Sequence, residues 1–144
     1  MKVLVINGPN LGSLGKRDPL HYGAMTLDEL NRAVADYAAQ RNIQTEFFHS
    51  NGEGEIIDAI EQTDADALMI NAGAYTHYSY AIRDALEVFR GIKVEVHLSN
   101  IAQRESFRRI RVFEDVVDGF CCGKKQESYF QALDFIEEKL RRKK

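Results

Sequence analysis

The stretch "VLVINGPNLGSLGKRDPLHYGAMTLDELNRAVADYAA", residues 3–39, joins a short apolar run to an amphipathic segment through an unusually long loop. Thr26 and Glu29 have the spacing of a capping box, which predicts a helix start at this point. The apolar stripe of that helix consists of Leu27, Leu30, Val34, Tyr37 and Ala38. A buried strand followed by a helix of this kind is the unit from which parallel sheets are built.

Outward from this unit, apolar runs and helical patterns keep alternating along the chain. The predicted strands are residues 3–6, 43–48, 67–70, 94–96 and roughly 116–122, and further helices are predicted around 56–60, from about His77 to Phe89, and over 129–140. This alternation predicts an α/β fold, a flavodoxin-like, doubly wound five-stranded parallel sheet with helices on both faces. We expect a single catalytic domain over residues 1–144.

Composition excludes several classes of partner. Hydrophobic residues make up 44% and charged residues 28% of the chain, and the net charge of -3 offers no basic surplus for binding nucleic acid. No apolar stretch approaches the length of a membrane span or of a signal peptide. Cys121 and Cys122 are adjacent and poorly placed for a disulfide, which favours free thiols in the reducing cytoplasm.

Reactive side chains collect directly after the predicted strands, where the sites of doubly wound folds lie. Asn10, Arg17, His21 and Tyr22 follow the first strand, Asn71 and "AGAYTH" follow the third, and "VEVHLSN" with Arg104 and Arg108 accompanies the fourth. Each group alone is compatible with an ordinary turn or a solvated helix face. Their convergence at one edge of the sheet indicates a site.

Glu95 and His97 are two positions apart, so on a strand their side chains point to the same face. A carboxylate beside an imidazole holds it in one tautomer and favours its protonated form, which suits a general acid. The alternative is a surface pair on an edge strand. The flanking apolar residues Val94, Val96 and Leu98 favour a buried strand.

Tyr22 and Arg17 lie in the same loop, and a nearby guanidinium favours the phenolate form that a base requires. A tyrosine that merely anchors the loop, with a solvated arginine, fits the spacing equally well. For Asn71 and Thr76 the plain alternatives are a turn residue and a helix N-cap, whereas the functional one is an anion site at a helix start.

A phenol, an imidazole, amide and hydroxyl donors and several arginines suit a small anionic polyol as substrate. The sequence contains no metal-ligand cluster, P-loop or GxGxxG motif. The predicted chemistry is removal of a proton next to a carbonyl with loss of a hydroxyl, without a cofactor.

The chain closely resembles the type II 3-dehydroquinate dehydratases, which are small flavodoxin-like enzymes. The motifs that carry the resemblance are "INGPNLGSLGKRDPLHYG", "SNGEGEIID", "INAGAYTHYSYAIRDAL" and "VEVHLSNIAQRESFRR", in family order up to about residue 109. The resemblance implies cofactor-free anti elimination of water from 3-dehydroquinate through an enolate, giving 3-dehydroshikimate.

The resemblance also implies roles for individual residues. Tyr22 would remove the C2 proton, with Arg17 favouring its phenolate, and Asn10 would help to hold a water that stabilises the enolate. His97 would donate a proton to the departing C1 hydroxyl, with Glu95 orienting its ring.

Further positions follow from the same resemblance. The implied substrate-binding residues are Asn71, His77, Leu98, Ser99 and Arg108. Asp84 would complete the site of a neighbouring subunit in a dodecamer built from trimers, and Arg104 would be a structural or loop-closing cation.

The chain departs from the family pattern after Arg108, where "RIRVFEDVVDGFCCGKKQESY" replaces a "HHSY…SP" pattern and a glycine-rich turn. The implied catalytic positions all lie outside this stretch. Residues 7–23, the active-site loop hereafter, are interpreted as a lid whose glycines permit closure.

Three rival functions are less well supported. A signalling receiver domain needs an acidic pair after the first strand and a phosphorylatable Asp after the third, where this chain has "NGPN" and Asn71. A flavin-binding module needs a hydroxyl-rich phosphate loop after the first strand, where "NGPNLGSLG" is poor in hydroxyls. An inactive relative serving as a binding protein is disfavoured by the complete set of matched residues.

Overall fold

The computed structural model describes residues 1–143 and contains one all-parallel, five-stranded sheet, which confirms the predicted α/β class. The strands are β1 (Lys2–Asn7), β2 (Gln44–His49), β3 (Ala67–Asn71), β4 (Ile92–His97) and β5 (Gly119–Cys122). The helices are α1 (Pro19–Tyr22), α2 (Leu27–Ala39), α3 (Glu53–Gln62), α4 (Tyr80–Val88) and α5 (Gln126–Arg142). Within residues 1–143, no helix is both long and apolar enough to cross a bilayer.

Two hydrophobic clusters cover the two faces of the sheet. Val3, Val5 and Met69 point to the cluster that includes Val34 of α2 and Leu133 of α5. On the other face, the alternate strand residues pack with α3 and α4 in a second cluster that includes Leu4, Ile6, Leu68, Ile70, Ile56 and Ile82. Central strands buried on both faces read as continuous apolar runs, which is why the sequence revealed them.

The strand order β2-β1-β3-β4-β5 places the site. From β1 the chain first adds β2 on one side and then β3, β4 and β5 on the other, so the strand order reverses between β1 and β3. A crevice opens beyond the carboxyl ends of the strands at such a point. Asn7 and Asn71 end these two strands at the same level, and His97 ends β4 opposite Cys122. The loops after β1, β3 and β4 therefore meet at one edge.

The start of α2 is as predicted, whereas the start of α4 is not. Thr26 accepts a hydrogen bond from the Glu29 amide and the full capping box is present. A separate 3₁₀ turn covers Gly73–His77, and α4 begins at Tyr80, because the Ser79 side chain caps it. The predicted helix start near His77, with Thr76 as its cap, is therefore wrong.

The last strand is shorter than predicted. It begins at Gly119 rather than near residue 116, because the amides of Val116 and Val117 both bond back to the Phe113 carbonyl in a turn. Phe113 itself is fully buried against the second cluster. The first residues of the predicted strand thus belong to a turn that follows the core residue Phe113.

Candidate active site

Most of the predicted site residues line one cavity beyond the carboxyl ends of β1, β3 and β4. Those that line it are Asn10, Arg17, Tyr22, Asn71, His77, His97, Leu98, Ser99, Arg104 and Arg108. Glu95 lies beneath it and contacts His97. Asp84 does not belong to this group, because it lies on α4 beside a separate groove between α3 and α4.

Tyr22 ends the four-residue helix α1, where Pro19 occupies the first turn and Asp18 caps it. Its hydroxyl accepts hydrogen bonds from Arg17 Nη2 at 2.8 Å and from Arg104 Nη1 at 2.5 Å. The Arg17 guanidinium also lies over the phenol ring, 3.8 Å from its centroid. Both donors are permanently charged, so two cations lie against the phenol oxygen.

Arg104 therefore does more than the sequence indicated, since it contacts the phenol oxygen directly. The same guanidinium reaches the Ser99 hydroxyl, at 3.4 Å, and its Nε is buried without a hydrogen-bond partner. Tyr22 also packs its ring against the first hydrophobic cluster. This packing agrees with the loop-anchor interpretation of Tyr22, and its role as a base stays a prediction.

Glu95 and His97 form the predicted pair on β4. His97 Nε2 lies 2.7 Å from Glu95 Oε2, and both side chains are buried. The Thr76 hydroxyl donates to the same oxygen, so the residue expected to cap a helix instead orients the carboxylate. With Nε2 bonded to Glu95, Nδ1 is the ring nitrogen left to exchange a proton with a substrate.

Arg111, which the sequence interpretation did not single out, completes the surroundings of Glu95. Its Nε and Nη2 donate to Glu95 Oε1 at 3.0 and 2.8 Å. Burial raises the pKa of Glu95, but the hydrogen bonds and charges of His97 and Arg111 outweigh it and leave that pKa below its ordinary value. Glu95 is therefore a carboxylate despite its burial.

A buried network of amides fixes Asn71. Its Nδ2 donates to the Tyr129 hydroxyl at 2.9 Å, and its Oδ1 accepts from the Gly73 amide at 3.1 Å. The Tyr129 hydroxyl donates in turn to Asn7 Oδ1 at 2.6 Å. Complete burial raises the pKa of Tyr129, so it acts as a neutral donor. These bonds determine which way the Asn71 amide faces.

Asn10 has a left-handed backbone, with φ of 70°, at the start of the 3₁₀ turn Leu11–Ser13. Its amide donates to the Asn51 side chain at 3.1 Å. This bond ties the active-site loop to the segment after β2 and leaves the Asn10 side chain beside the cavity.

His77 ends the 3₁₀ turn after β3, Arg108 lies in the segment after β4, and both line the cavity. His77 Nδ1 donates to the Ile110 carbonyl at 2.6 Å, and burial lowers the pKa of His77, so its imidazole is neutral near pH 7. The Arg108 Nε pairs with Glu105 three positions earlier. Both residues are thus held as hydrogen-bonding groups for a polar ligand.

The contributions of Thr76, Arg111 and Tyr129 were missed by the sequence interpretation for different reasons. Tyr129 was assigned only to the apolar face of the last helix, and Thr76 was assigned to a cap. Arg111 lies in the stretch that departs from the family pattern, so no motif pointed to it. Its position within "RIRVF" offers no periodic signal. Among residues 1–143, no three His, Cys, Asp or Glu side chains are grouped as metal ligands would be.

Known proteins resemble this chain in both sequence and structure. The sequence model of the family described as "Dehydroquinase class II" matches residues 1–137. The 3-dehydroquinate dehydratase of Thermotoga neapolitana is 52% identical over 138 residues, which cover 96% of this chain and 95% of the relative.

Two solved structures are similar over nearly the whole chain. The crystal structure of the type II dehydroquinase from Butyrivibrio crossotus has a TM-score of 0.92 and 46% identity, covering 95% of this chain and 97% of that one. The type II dehydroquinase from Propionibacterium acnes has a TM-score of 0.84 and 37% identity, covering 93% and 94%.

Proposed function

Because this chain belongs to the class II dehydroquinase family, we propose that the cavity lined by Tyr22 and His97 is its active site. The chain is an enzyme, a hydro-lyase that removes water from 3-dehydroquinate. The observation that carries the site assignment is the phenol oxygen of Tyr22, held by two guanidinium groups across the cavity from the His97–Glu95 pair.

The first step we propose is removal of the substrate's C2 proton by the Tyr22 phenolate. Arg17 and Arg104 stabilise that phenolate before the reaction. The electron pair of the C2–H bond moves onto the neighbouring carbonyl and gives an enolate. Asn10 helps to hold the water that donates a hydrogen bond to this enolate oxygen.

In the second step the enolate collapses. Its electron pair forms the C1–C2 double bond as the C1–O bond breaks, and the hydroxyl leaves as water with a proton from His97. Glu95 holds the imidazole in orientation through Nε2. Release of the Tyr22 proton to solvent and uptake of a proton by His97 return the enzyme to its starting state.

Substrate binding follows from the polar groups around the cavity. Asn71, with its amide fixed by Tyr129, and the backbone of Leu98 and Ser99 provide neutral hydrogen bonds for a carboxylate and hydroxyl groups. His77 and Arg108, which line the same cavity, provide further hydrogen bonds to the substrate. The active-site loop carries both Arg17 and Tyr22, and we propose that it opens to admit substrate and closes over it.

We further propose that subunits assemble through α4, as trimers within a dodecamer, with Asp84 completing a neighbour's site. Asp84 has a side chain 71% exposed, and Tyr80 and Val88 on the same helix are 68% and 77% exposed. Large apolar side chains left exposed on one helix are typical of an interface. The single catalytic domain and a cytoplasmic location, in keeping with the free thiols of Cys121 and Cys122, are part of the same proposal.

The experiment that tests the site is a direct assay. Purified chain mixed with 3-dehydroquinate produces the absorbance of a conjugated enone, whereas folded His97→Ala loses turnover by about 10²–10⁴-fold. A His97→Ala variant with normal turnover contradicts the site assignment.

Asp84→Asn tests the assembly separately. We expect the purified variant to lose activity while each subunit keeps its fold, and sedimentation reports the assembly size. Fully active monomers contradict the proposed role of Asp84.

A further inference from the structure

We propose that Arg111 is a positioning residue for the acid step: it supplies the permanent counter-charge of Glu95 and thereby allows His97 to release its proton. This inference rests on the proposed role of His97. It concerns a residue outside the matched motifs, in the stretch where the chain departs from the family pattern.

The two oxygens of Glu95 have separate partners. Oε1 accepts both hydrogen bonds from Arg111, through Nε at 3.0 Å and Nη2 at 2.8 Å. Oε2 receives the Thr76 hydroxyl and faces His97 Nε2 at 2.7 Å. Arg111 thus fixes the carboxylate from one side while the other side remains available to the imidazole.

The guanidinium of Arg111 is itself held in place. It stacks on the Phe120 ring, 3.5 Å from the ring centroid, and the same ring meets His97 edge-on at 6.0 Å. The next residue, Val112, donates its amide to the Thr76 carbonyl at 2.8 Å. Arg111 therefore approaches Glu95 from a segment tied to the residue that also orients the carboxylate.

Charge balance explains why this cation matters to the reaction. Glu95 is fully buried, and a buried carboxylate without a partner is strongly unfavourable. If His97 were its only cation, giving up the imidazole proton would leave that charge unpaired. With Arg111 in place, Glu95 stays paired before and after proton transfer, so the cost of releasing the proton falls.

The remaining ionisable groups around the pair do not replace Arg111. His77 and Arg108 line the cavity on the substrate side, and Cys122 lies on the neighbouring strand, with burial raising the pKa of its thiol. Among these, Arg108 is assigned to the substrate and pairs with Glu105. Arg111 is the cation bonded to the carboxylate.

The test compares Arg111→Met, which keeps an apolar chain against Phe120, with Arg111→Lys, which keeps the charge. Arg41→Met is the matched control, because Arg41 also stacks on a ring, 3.5 Å from the Tyr37 centroid, and lies 3.3 Å from the Asp134 carboxylate. It is remote from the cavity residues. Assays in D₂O measure kcat, KM and the deuterium appearing at C2 of recovered substrate.

We expect Arg111→Met to lower kcat by about ten-fold or more, with KM within about two-fold of the unchanged enzyme. Because the enolate then waits longer for its proton donor, it returns to substrate more often, and recovered substrate carries more deuterium per product formed. Arg111→Lys recovers most of kcat, and Arg41→Met alters neither quantity.

Two results overturn the proposal. One is an Arg111→Met enzyme with normal kcat. The other is a lowered kcat with unchanged deuterium partitioning, which means that Arg111 only supports the fold. If Arg111→Met does not fold, Arg111→Gln takes its place with the same criteria. Normal turnover by His97→Ala would instead reject the proposed function, so the two failures are distinct.

Discussion

The Arg104 guanidinium donates to the Tyr22 hydroxyl at 2.5 Å across 82 positions of sequence. Arg104 follows β4, whereas Tyr22 ends α1 in the active-site loop. Arg17 approaches the same oxygen from within the loop, at 2.8 Å. The phenol oxygen of Tyr22 is thus the point where the loop is joined to the rest of the cavity wall, so the proposed activation of Tyr22 and the proposed closure of the loop depend on the same contacts.

Tyr22→Phe removes that oxygen while keeping the ring that packs on the hydrophobic cluster. We expect kcat to fall by about 10²–10⁴-fold with a modest change in KM, because proton abstraction is lost but the binding groups stay. Tyr37→Phe is the control, since the Tyr37 hydroxyl bonds to Asp134 away from the cavity. Steady-state assays of both variants measure kcat and KM. Near-normal turnover by Tyr22→Phe contradicts the proposed role of Tyr22 as the base.

Glu95→Gln tests the charge of the buried carboxylate through stability. The pKa of Glu95 lies below its ordinary value of 4.5 in the folded chain, so its contribution is present above pH 4.5 and is lost as pH falls through the folded value. We expect Glu95→Gln to lower Tm most at neutral pH, with the deficit shrinking below about pH 4.5. Thermal melts across pH measure the difference.

Asp64→Asn is the control for that experiment. Hydrogen bonding to Lys2 also lowers the pKa of Asp64, but its side chain is 83% exposed, so solvent screens the pair. We expect little change in Tm for this variant. A deficit of Glu95→Gln that is the same at every pH contradicts the assignment of a buried carboxylate.

Gly8→Ala tests the close approach of β1 and β3 at the edge of the cavity. A Cβ at this position would lie 2.8 Å from the Ala72 backbone, and the Gly8 amide donates to the Asn71 carbonyl at 2.7 Å. We expect a loss of roughly 1–3 kcal/mol in the free energy of unfolding. In contrast, Gly54→Ala in α3 meets nothing within 4 Å and gains about 0.5–1 kcal/mol. Urea titrations of both variants measure the free energy of unfolding. Equal stabilities of the two variants contradict the prediction.

Limited trypsin digestion tests the proposed opening of the active-site loop. Lys16 is exposed on this loop, so cleavage after it in the free enzyme precedes cleavage within the long helices. We expect an equilibrated mixture of substrate and product to slow that cleavage, because contacts of the ligand with Arg17 and Tyr22, which line the cavity, hold the proposed lid closed. Cleavage at Arg141 and Arg142, with side chains 75% and 69% exposed, is the internal reference. Identical rates of cleavage after Lys16 with and without ligand indicate that the active-site loop is a rigid part of the cavity and does not open.

The sequence predicted the sheet well because its central strands are buried on both faces and read as apolar runs. It also placed Tyr22, His97 and Asn71 at one edge, since parallel strands end together there. Local competition between polar groups was harder to predict. Thr76 and Ser79 are both plausible caps, and which of them starts α4 depends on Glu95, 19 positions after Thr76.

The other site residues that the sequence did not reveal make their contacts with elements that are distant in sequence. The pairing of Arg111 with Glu95 and the bridge from Tyr129 to Asn71 arise only when separate elements meet. A helix pattern records that Tyr129 faces inward, but not that its hydroxyl meets two amides. Similarly, the predicted last strand began near residue 116 because Val116 and Val117 continue its apolar pattern, whereas their amides bond to the Phe113 carbonyl in a turn.

The Tyr129 hydroxyl, which bridges Asn7 and Asn71, makes this edge of the cavity depend on a helix that is synthesised long after β1. Asn7 emerges early, yet its hydrogen-bond donor lies 122 positions later, on the final helix. Until α5 docks, two amides at the carboxyl ends of β1 and β3 lack the partner that buries and aligns them. A chain that has paired β1 with β3 therefore still lacks the donor and acceptor that align Asn7 and Asn71, and this edge of the cavity is complete only when α5 has docked.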